Sequence, residues 1–295
     1  MPACEPRPAS LGDALVSATT LLRRAGFRDA RREAAELWAV LTGGSVGDAW
    51  LARERDADPA ALAHYREAVR RRAAGEPRAY AAGRAGFRTL ALAADRRALI
   101  PRPETEGLVE RVLAWAREAG DAARQMVVAD VGTGSGCIAL SLAVEARFAR
   151  IIATDVSADA LALARENVAR VAPPVAVDLR QGDLLEPLLG ESIHVLVANP
   201  PYLTEAEYAA LDPSVRGYEP RDALVGGWDG LSAIRRLIQG GNVILVPGGL
   251  LAMELDSERA DAAAGLARRA GWRDVRVERD LFGRRRFLLA TWSER

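Results

Sequence analysis

Apolar residues recur at helical spacing through the first quarter of the chain. The polar residue Ser10 precedes a stripe whose members fall every three or four positions, at Leu11, Leu15, Ala18 and Leu22. Asp29, and Asp58 followed by Pro59, are of the residue types that open helices, and an apolar stripe follows each. The pattern predicts a small all-helical domain over residues 1–75, which we interpret as a substrate-recognition module.

The helical pattern stops at Gly75. Glycine and proline residues punctuate residues 76–102, and short alternating stretches near residues 87–92 predict a hairpin-like linker. Pro103 is of the type favoured at the first position of a helix, and the amphipathic segment that it opens ends at Gly120.

From residue 126 onward, predicted strands alternate with predicted helices. The strand-like runs are residues 127–131, 151–155, 175–181, 193–198, 249–255, 274–278 and 286–291. Several are almost wholly apolar, as in parallel strands buried on both faces, and helical stretches such as 157–171 separate most of them. This alternation predicts a doubly wound, mostly parallel α/β sheet. The last two runs are too close for a crossover helix, so we expect a C-terminal antiparallel hairpin.

Composition excludes several classes of protein. The chain has 295 residues with 40 basic and 40 acidic side chains, so it lacks a strong net field that would gather nucleic acid. Every basic residue is an arginine, which excludes a lysine nucleophile and a P-loop lysine. Two cysteines, Cys4 and Cys137, do not form a disulfide framework. Without an apolar leader or a long apolar run, we expect a cytoplasmic protein.

A glycine-rich loop follows the first predicted strand and opens a helix. Glycines allow a tight turn and a close approach of ligand to backbone, and the helix N-terminus adds unpaired N–H groups. Asp155 ends the second strand, where a carboxylate can accept hydrogens from both ribose hydroxyls. These features indicate a nucleoside-containing cofactor, and the G-x-G-x-G spacing favours S-adenosylmethionine over NAD. The loop comprises Gly132, Thr133, Gly134, Ser135 and Gly136.

The segment Asn199-Pro200-Pro201-Tyr202 directly follows the fourth strand, at the sheet edge where open α/β folds bind ligands. Prolines lack N–H donors and stiffen the loop, which leaves carbonyl oxygens as acceptors. The Asn199 side-chain oxygen and the Pro200 carbonyl can hold both hydrogens of a planar NH2 group, and Tyr202 offers a stacking face. The nitrogen is then aimed for in-line methyl transfer. We interpret Asn199, Pro200 and Tyr202 as catalytic residues.

Six segments together resemble the release-factor glutamine methyltransferases of the PrmC/HemK type. They are residues 75–77, 99–106, 132–136, 199–202, 218–224 and 280–284. The resemblance covers residues 75–292 by motif and the N-terminal helices only in architecture. It implies a class I methyltransferase fold, with the methyltransferase domain at residues 103–295.

The resemblance implies an activity and a partner. The reaction would move a methyl group from S-adenosylmethionine to the side-chain amide nitrogen, N5, of the glutamine in the Gly-Gly-Gln motif of peptide chain release factors. S-adenosylhomocysteine would be the second product. We expect a monomer that modulates translation termination, with no metal ion, no membrane contact and no nucleic acid as direct substrate.

The resemblance also implies roles for individual residues, according to their positions in the matching motifs. The glycine loop, Asp155 and Asn199 would bind the cofactor. In methyltransferases an acidic residue after the third strand reaches the adenine amino group and its neighbour packs on the ring, which assigns Asp183 and Leu184. The substrate would contact Asn199, Pro200, Pro201, Tyr202, Arg102 and Glu219.

Other interpretations stay open at this point. Similar Asn-Pro-Pro-Tyr loops serve methyltransferases of adenine or guanine amino groups in nucleic acids and of ribosomal-protein glutamines. Enzymes that act on nucleic acids usually have a basic surface. The arginine clusters at 70–72 and 284–286 are most simply interpreted as solvated surfaces of this chain. A non-catalytic nucleotide-binding module and an NAD oxidoreductase are further alternatives. The intact Asn199 loop argues against the first, and the glycine spacing argues against the second.

Overall fold

The computed structural model describes residues 10–55 and 57–293. Cys4 and the start of the predicted helical domain lie outside the described residues. The fold divides into two compact units, Met1–Gly86 and Phe87–Arg295, and each has its own hydrophobic core. The finer division predicted from the sequence, with boundaries at residues 75 and 102, stays a prediction.

The described part of the first unit consists mainly of helices, as the sequence predicts. Ser10, Asp29 and Asp58 each accept a hydrogen bond from a backbone N–H in the first turn of the helix that they open. The apolar faces pack around Tyr65, whose buried hydroxyl donates to the Ala34 carbonyl at 3.0 Å. The helices are α1 (Leu11–Arg24), α2 (Ala30–Thr42), α3 (Val46–Leu51), α4 (Pro59–Ala73) and α5 (Arg78–Ala82).

Helix α5 corrects the expectation that residues 76–102 hold only a hairpin. At 5 residues it is too short to display an apolar stripe, and α3, at 6 residues, was missed for the same reason. The hairpin-like strands follow it as β1 (Arg84–Phe87) and β2 (Leu90–Ala93), which form a two-stranded sheet. Helix α6 (Pro103–Ala119) begins at the predicted proline and ends before Gly120.

A seven-stranded sheet forms the centre of the second unit. The strands are β3 (Val127–Val131), β4 (Arg150–Asp155), β5 (Val177–Gln181), β6 (Ile193–Ala198), β7 (Leu245–Glu254), β8 (Arg273–Arg279) and β9 (Arg285–Thr291). Their order is β5-β4-β3-β6-β7-β9-β8, in which β9 runs antiparallel to both of its neighbours and the remaining pairs are parallel. The predicted doubly wound sheet with a C-terminal antiparallel hairpin is therefore confirmed.

Two apolar layers cover the faces of this sheet. Successive strand residues alternate between them: Val128 packs in the core beside α6, and Ala129 packs in the opposite core. Within the described residues, no helix is both long and apolar enough to cross a membrane. The remaining helices are α7 (Cys137–Glu145), α8 (Ala158–Val171), α9 (Glu205–Ala209), α10 (Pro213–Arg216), α11 (Ser232–Ile244) and α12 (Ala260–Arg269).

Candidate active site

The strand order brings the sequence motifs to one place. From β3 the chain proceeds outward to β4 and β5 and then returns to β6 on the other side of β3, so β3 and β6 flank the topological switch point. Val131, the last residue of β3, pairs with Ala198, the last residue of β6. The glycine loop begins at Gly132 and the Asn-Pro-Pro-Tyr loop begins at Asn199, directly after those two residues. The two loops therefore start next to each other at the carboxyl edge of the sheet.

A cavity of about 620 Å³ opens at this edge, within the 300–1,000 Å³ typical of small-molecule sites. Nine of the predicted residues line it: Gly132, Thr133, Gly134, Ser135, Asp155, Asp183, Leu184, Asn199 and Pro201. The other predicted residues are not among its lining residues: Gly136, Pro200, Tyr202, Arg102 and Glu219. The lining also includes residues to which the sequence assigned no role in the site, among them Thr105, Cys137 and Arg236.

The glycine loop leaves its backbone open to the cavity. Gly132 and Gly134 have φ values of 73° and 55°, in the left-handed region that side chains disfavour. A Cβ atom at Gly132 would meet nothing within 4 Å, and one at Gly134 would meet only Ala98, at 3.8 Å. A side chain at either position would occupy space that the cavity now offers to a ligand. The loop therefore fits a cofactor that approaches the main chain closely.

Asp155 stands at the end of β4 beside this loop. Its carboxylate accepts hydrogen bonds from the backbone N–H groups of Gly134 and Ser157, both at 2.9 Å. Burial raises the pKa of this carboxyl, although the backbone donors oppose the shift. A carboxylate has about four acceptor positions, so Asp155 keeps capacity for ribose hydroxyls after these two bonds.

Asp130 is a buried carboxyl that the sequence analysis left without a role. Its Oδ2 atom accepts from the Thr133 hydroxyl at 2.6 Å and from the Ala139 N–H at 3.1 Å, which ties the glycine loop to α7. Burial raises the pKa of Asp130 to about 7. The sequence does carry a signal that could have identified Asp130 as a functional residue. It is the only ionisable residue in an otherwise apolar strand, and it lies two positions before Gly132.

The third motif, Asp183-Leu184, follows β5 and lines the cavity. Both oxygens of Asp183 accept from the Arg236 guanidinium of α11, at 2.8 and 3.2 Å. Leu184 has a φ of 49°, an unfavourable conformation for a bulky side chain, and its carbonyl accepts from the Thr154 hydroxyl at 3.4 Å. The ion pair with Arg236 holds Asp183 in one orientation, a contact that the sequence could not supply.

The Asn199-Pro200-Pro201-Tyr202 loop is supported from behind by α6. The Asn199 Nδ2 atom donates to the Thr105 hydroxyl oxygen at 3.1 Å, and Thr105 is buried. Pro200 is buried, while Tyr202 packs partly against the core formed with α11 and α12, where burial raises its pKa. The loop therefore presents Asn199 and Pro201 to the cavity.

Residues 218–230 press against the same loop. Leu203 exchanges two backbone hydrogen bonds with this segment: its N–H donates to the Leu224 carbonyl at 2.9 Å, and its carbonyl accepts from the Gly226 N–H at 2.8 Å. A Cβ atom at Gly226 would collide with the Pro201 carbonyl, and one at Gly230 with the Tyr202 carbonyl. Only glycine therefore fits this contact, which accounts for the glycines of the segment.

Arg102 and Glu219, predicted as substrate contacts, contact each other. The Arg102 guanidinium donates to Glu219 at 2.6 Å, and the Ile100 N–H donates to the same carboxylate at 3.1 Å. The Glu219 side chain is only 1% exposed, so the pair ties residues 99–106 to the 218–230 segment. Direct contact of either residue with substrate stays a prediction.

Comparison with known proteins identifies the class. Residues 116–212 match the family model of the methyltransferase small domain, and residues 13–83 match that of the PrmC N-terminal domain. The solved hMettl16 catalytic domain, in complex with MAT2A 3'UTR hairpin 6, has a TM-score of 0.54 and 16% identity. The match covers 80% of this chain and 82% of that one and bears on the fold alone.

The doubly wound sheet and the domain match define the chain as a methyltransferase. The release factor glutamine methyltransferase of Moorella thermoacetica is 46% identical over 81% of this chain and 84% of its own length. That of Deinococcus radiodurans is 39% identical over 95% and 98%. The chain belongs to the release factor glutamine methyltransferase family.

Proposed function

We propose that this protein transfers a methyl group from S-adenosylmethionine to the N5 nitrogen of the glutamine in the Gly-Gly-Gln motif of peptide chain release factors. The observation that carries the proposal is the orientation of Asn199. Its Nδ2 atom donates to Thr105, so its Oδ1 atom is left to accept a hydrogen from an amide that enters the cavity. Membership of the family supports a glutamine amide as that group.

The cavity residues fit S-adenosylmethionine by their chemistry. The open glycine backbone admits a close ligand, Asp155 would accept from the ribose hydroxyls, and Leu184 would pack on the adenine. Asp183 retains acceptor positions for the adenine amino group while Arg236 holds it. When bound, S-adenosylmethionine supplies a methyl group on a positively charged sulfur.

The loop at Asn199 would compensate for the low nucleophilicity of an amide nitrogen. The amide nitrogen shares its lone pair with the carbonyl group, so it attacks slowly unless it is held in line. Asn199 Oδ1 would accept one of its hydrogens, which helps to fix the nitrogen and stabilises the positive charge that develops on it. The Pro200 carbonyl stays the predicted acceptor of the second hydrogen, although Pro200 is not among the residues that line the cavity. The proton can leave after the transfer, so the site needs no strong base beforehand.

The arginine clusters give little support to a nucleic-acid substrate. Phosphate recognition needs guanidinium groups that are free to contact it. In the described residues, members of both clusters are already paired with carboxylates: Arg71 with Glu76, Arg72 with Glu33, Arg285 with Asp261 and Arg286 with Asp280. A protein substrate is consistent with this neutralised surface.

The N-terminal helices would recognise the body of the release factor, and we propose that the enzyme acts as a monomer in the cytoplasm. Remote contacts of this kind supply binding energy that positions the reacting amide. The glycines beside the target glutamine would let its backbone enter a narrow cavity without side-chain clashes.

Competition between substrates tests the proposal. Purified protein and labelled S-adenosylmethionine are incubated with unmethylated release factor, ribosomal proteins and unmethylated DNA and RNA, separately and mixed. We expect label in the release factor, and loss of that label when its Gly-Gly-Gln glutamine is replaced by alanine. Label in nucleic acid with the release factor unmodified would refute the proposal.

A further inference from the structure

A buried side-chain amide on α8 joins two sides of the cavity. Asn167 is fully buried, and its Nδ2 atom donates to the Ser135 carbonyl at 2.9 Å and to the Ala93 carbonyl at 3.2 Å. Its Oδ1 atom accepts from the Ala93 N–H at 2.7 Å. Ser135 belongs to the glycine loop, whereas Ala93 is the last residue of β2. Asn167 therefore connects two pieces of main chain that are far apart in sequence.

The three main-chain partners fix the orientation of this amide. A backbone N–H only donates and a carbonyl oxygen only accepts, so the Asn167 oxygen faces the Ala93 N–H and its NH2 group faces the two carbonyls. The two hydrogens of the NH2 group are then both used, one on Ser135 and one on Ala93. Asn167 thus constrains the course of the main chain at both places.

The chain that follows β2, together with its last residue, forms one of these two sides; we call residues 93–99 the 93–99 segment. Ala98 and Leu99 line the cavity. Ala98 is buried in a small apolar cluster with Leu163 of α8, and a Cβ atom at Gly134 would lie 3.8 Å from the Ala98 Cβ. The 93–99 segment and the glycine loop therefore lie next to each other along the cavity.

We propose that Asn167 is a positioning residue that holds the glycine loop and the 93–99 segment together in the arrangement that binds the cofactor. This inference rests on the proposed function for the identity of the cofactor, S-adenosylmethionine. It concerns the shape of the cofactor site and does not involve the release factor.

The glycine loop needs such a constraint, because glycines can adopt many backbone conformations. The Gly136 N–H donates to the Thr133 carbonyl at 2.8 Å. The bond from Asn167 holds the carbonyl of the same peptide unit, at Ser135, so this peptide plane is held at both ends. A loop that leaves this arrangement part of the time binds its ligand less tightly, in inverse proportion to the fraction of molecules that keep it.

A second link between α8 and the 93–99 segment is exposed. The Arg97 guanidinium donates to both oxygens of Glu166 at 2.7 and 2.9 Å, and the Glu166 side chain is 55% exposed. Exposed ion pairs contribute little, whereas a buried carbonyl that loses its donor is costly. Asn167 therefore supplies most of the constraint, and Glu166, the preceding residue on the same helix, provides a matched control.

Calorimetry of S-adenosylmethionine binding tests the assignment. Asn167→Leu keeps the approximate size of the side chain and removes all three hydrogen bonds, and Asn167→Asp keeps the acceptor for Ala93 and removes the donors. We expect both variants to bind about tenfold or more weakly, the effect of one hydrogen bond, with kcat at saturating cofactor within about threefold of the wild type. Glu166→Gln should change the affinity by at most about twofold. Val112→Ala, which lowers stability from a buried position on α6, should keep the wild-type affinity.

Hydrogen exchange of the ligand-free protein tests the connection without any activity. In Asn167→Leu, we expect faster exchange in the peptides that cover the 93–99 segment and in those that cover the glycine loop, with unchanged exchange in β9. In Val112→Ala, these two regions should exchange as in the wild type. S-adenosylhomocysteine should slow exchange in both regions of the wild type.

The outcomes distinguish the two proposals. A wild-type protein that leaves the release factor unmethylated refutes the proposed function, and exchange in the two regions still decides the role of Asn167. An Asn167→Leu protein that binds the cofactor with wild-type affinity, or that exchanges faster in only one of the two regions, overturns the assignment. An equal loss of affinity in Val112→Ala would also overturn it, because general destabilisation would then explain the effect.

Discussion

Replacement of Glu254 by glutamine should change how the stability of the protein depends on pH. Burial raises the pKa of this carboxyl from an ordinary 4.5 to about 7. The folded chain therefore keeps a proton over a pH range in which the unfolded chain has released it. The contribution of Glu254 to the free energy of unfolding is fully present below about pH 4.5 and is lost as the pH rises through about 7.

The size of the effect follows from these two pKa values. Between pH 5 and pH 8 the wild type should lose roughly 2–3 kcal/mol of unfolding free energy because of Glu254 alone. Glutamine does not titrate, so Glu254→Gln should gain about that amount relative to the wild type over the same interval. Asp130, whose pKa is also raised by burial, is common to both proteins and cancels in the comparison.

Urea denaturation at pH 5 and pH 8, followed by circular dichroism and tryptophan fluorescence, measures this difference. Glu258→Gln is the control, since it makes the same substitution at an exposed glutamate close to the same strand. If the curves of Glu254→Gln and the wild type shift in parallel between the two pH values, Glu254 titrates normally and the reasoning is wrong.

Three further predictions concern the cavity and its supporting loop. Asp155→Ala should weaken cofactor binding roughly 10- to 150-fold by calorimetry, while the exposed Asp159→Ala should not; equal affinities would remove Asp155 from the site. Asn199→Ala should lower kcat by about 10²–10³ and leave cofactor affinity within about twofold, and a near-normal single-turnover rate would contradict its role. Gly230→Ala should unfold at a lower temperature than Gly190→Ala, because both positions have positive φ but only the side chain at 230 would collide with Tyr202 and Arg259; equal melting temperatures would contradict the packing.

Local patterns predict much of the fold. The apolar runs locate the strands of the large sheet to within a few residues, and the polar caps Ser10, Asp29 and Asp58 mark helix starts. These signals are strong because hydrophobic period and cap chemistry are properties of contiguous residues. Short helices such as α3 and α5 escape, since they contain fewer than two turns and show no period.

The candidate site is predictable only in part, for a related reason. Motifs that follow strands, such as the glycine loop and Asn199, are visible because the sheet edge gathers them. Contacts between residues far apart in sequence leave no local trace. The pairing of Arg102 with Glu219 and of Asp183 with Arg236, and the contact between Asn199 and Thr105, each join separate elements. The burial of the Glu254 carboxyl can be recognised only once β7 is known to lie beside β6.

The most direct test of the central claim is tandem mass spectrometry of a release factor after reaction. Unmethylated release factor is incubated with S-adenosylmethionine and either the wild-type protein or Asn199→Ala, and the peptide that contains Gly-Gly-Gln is fragmented. We predict one added methyl group on the glutamine side-chain amide with the wild type, and almost none with Asn199→Ala in the same time. A methyl group on another residue, or an unmodified peptide after complete incubation with the wild type, would contradict the account.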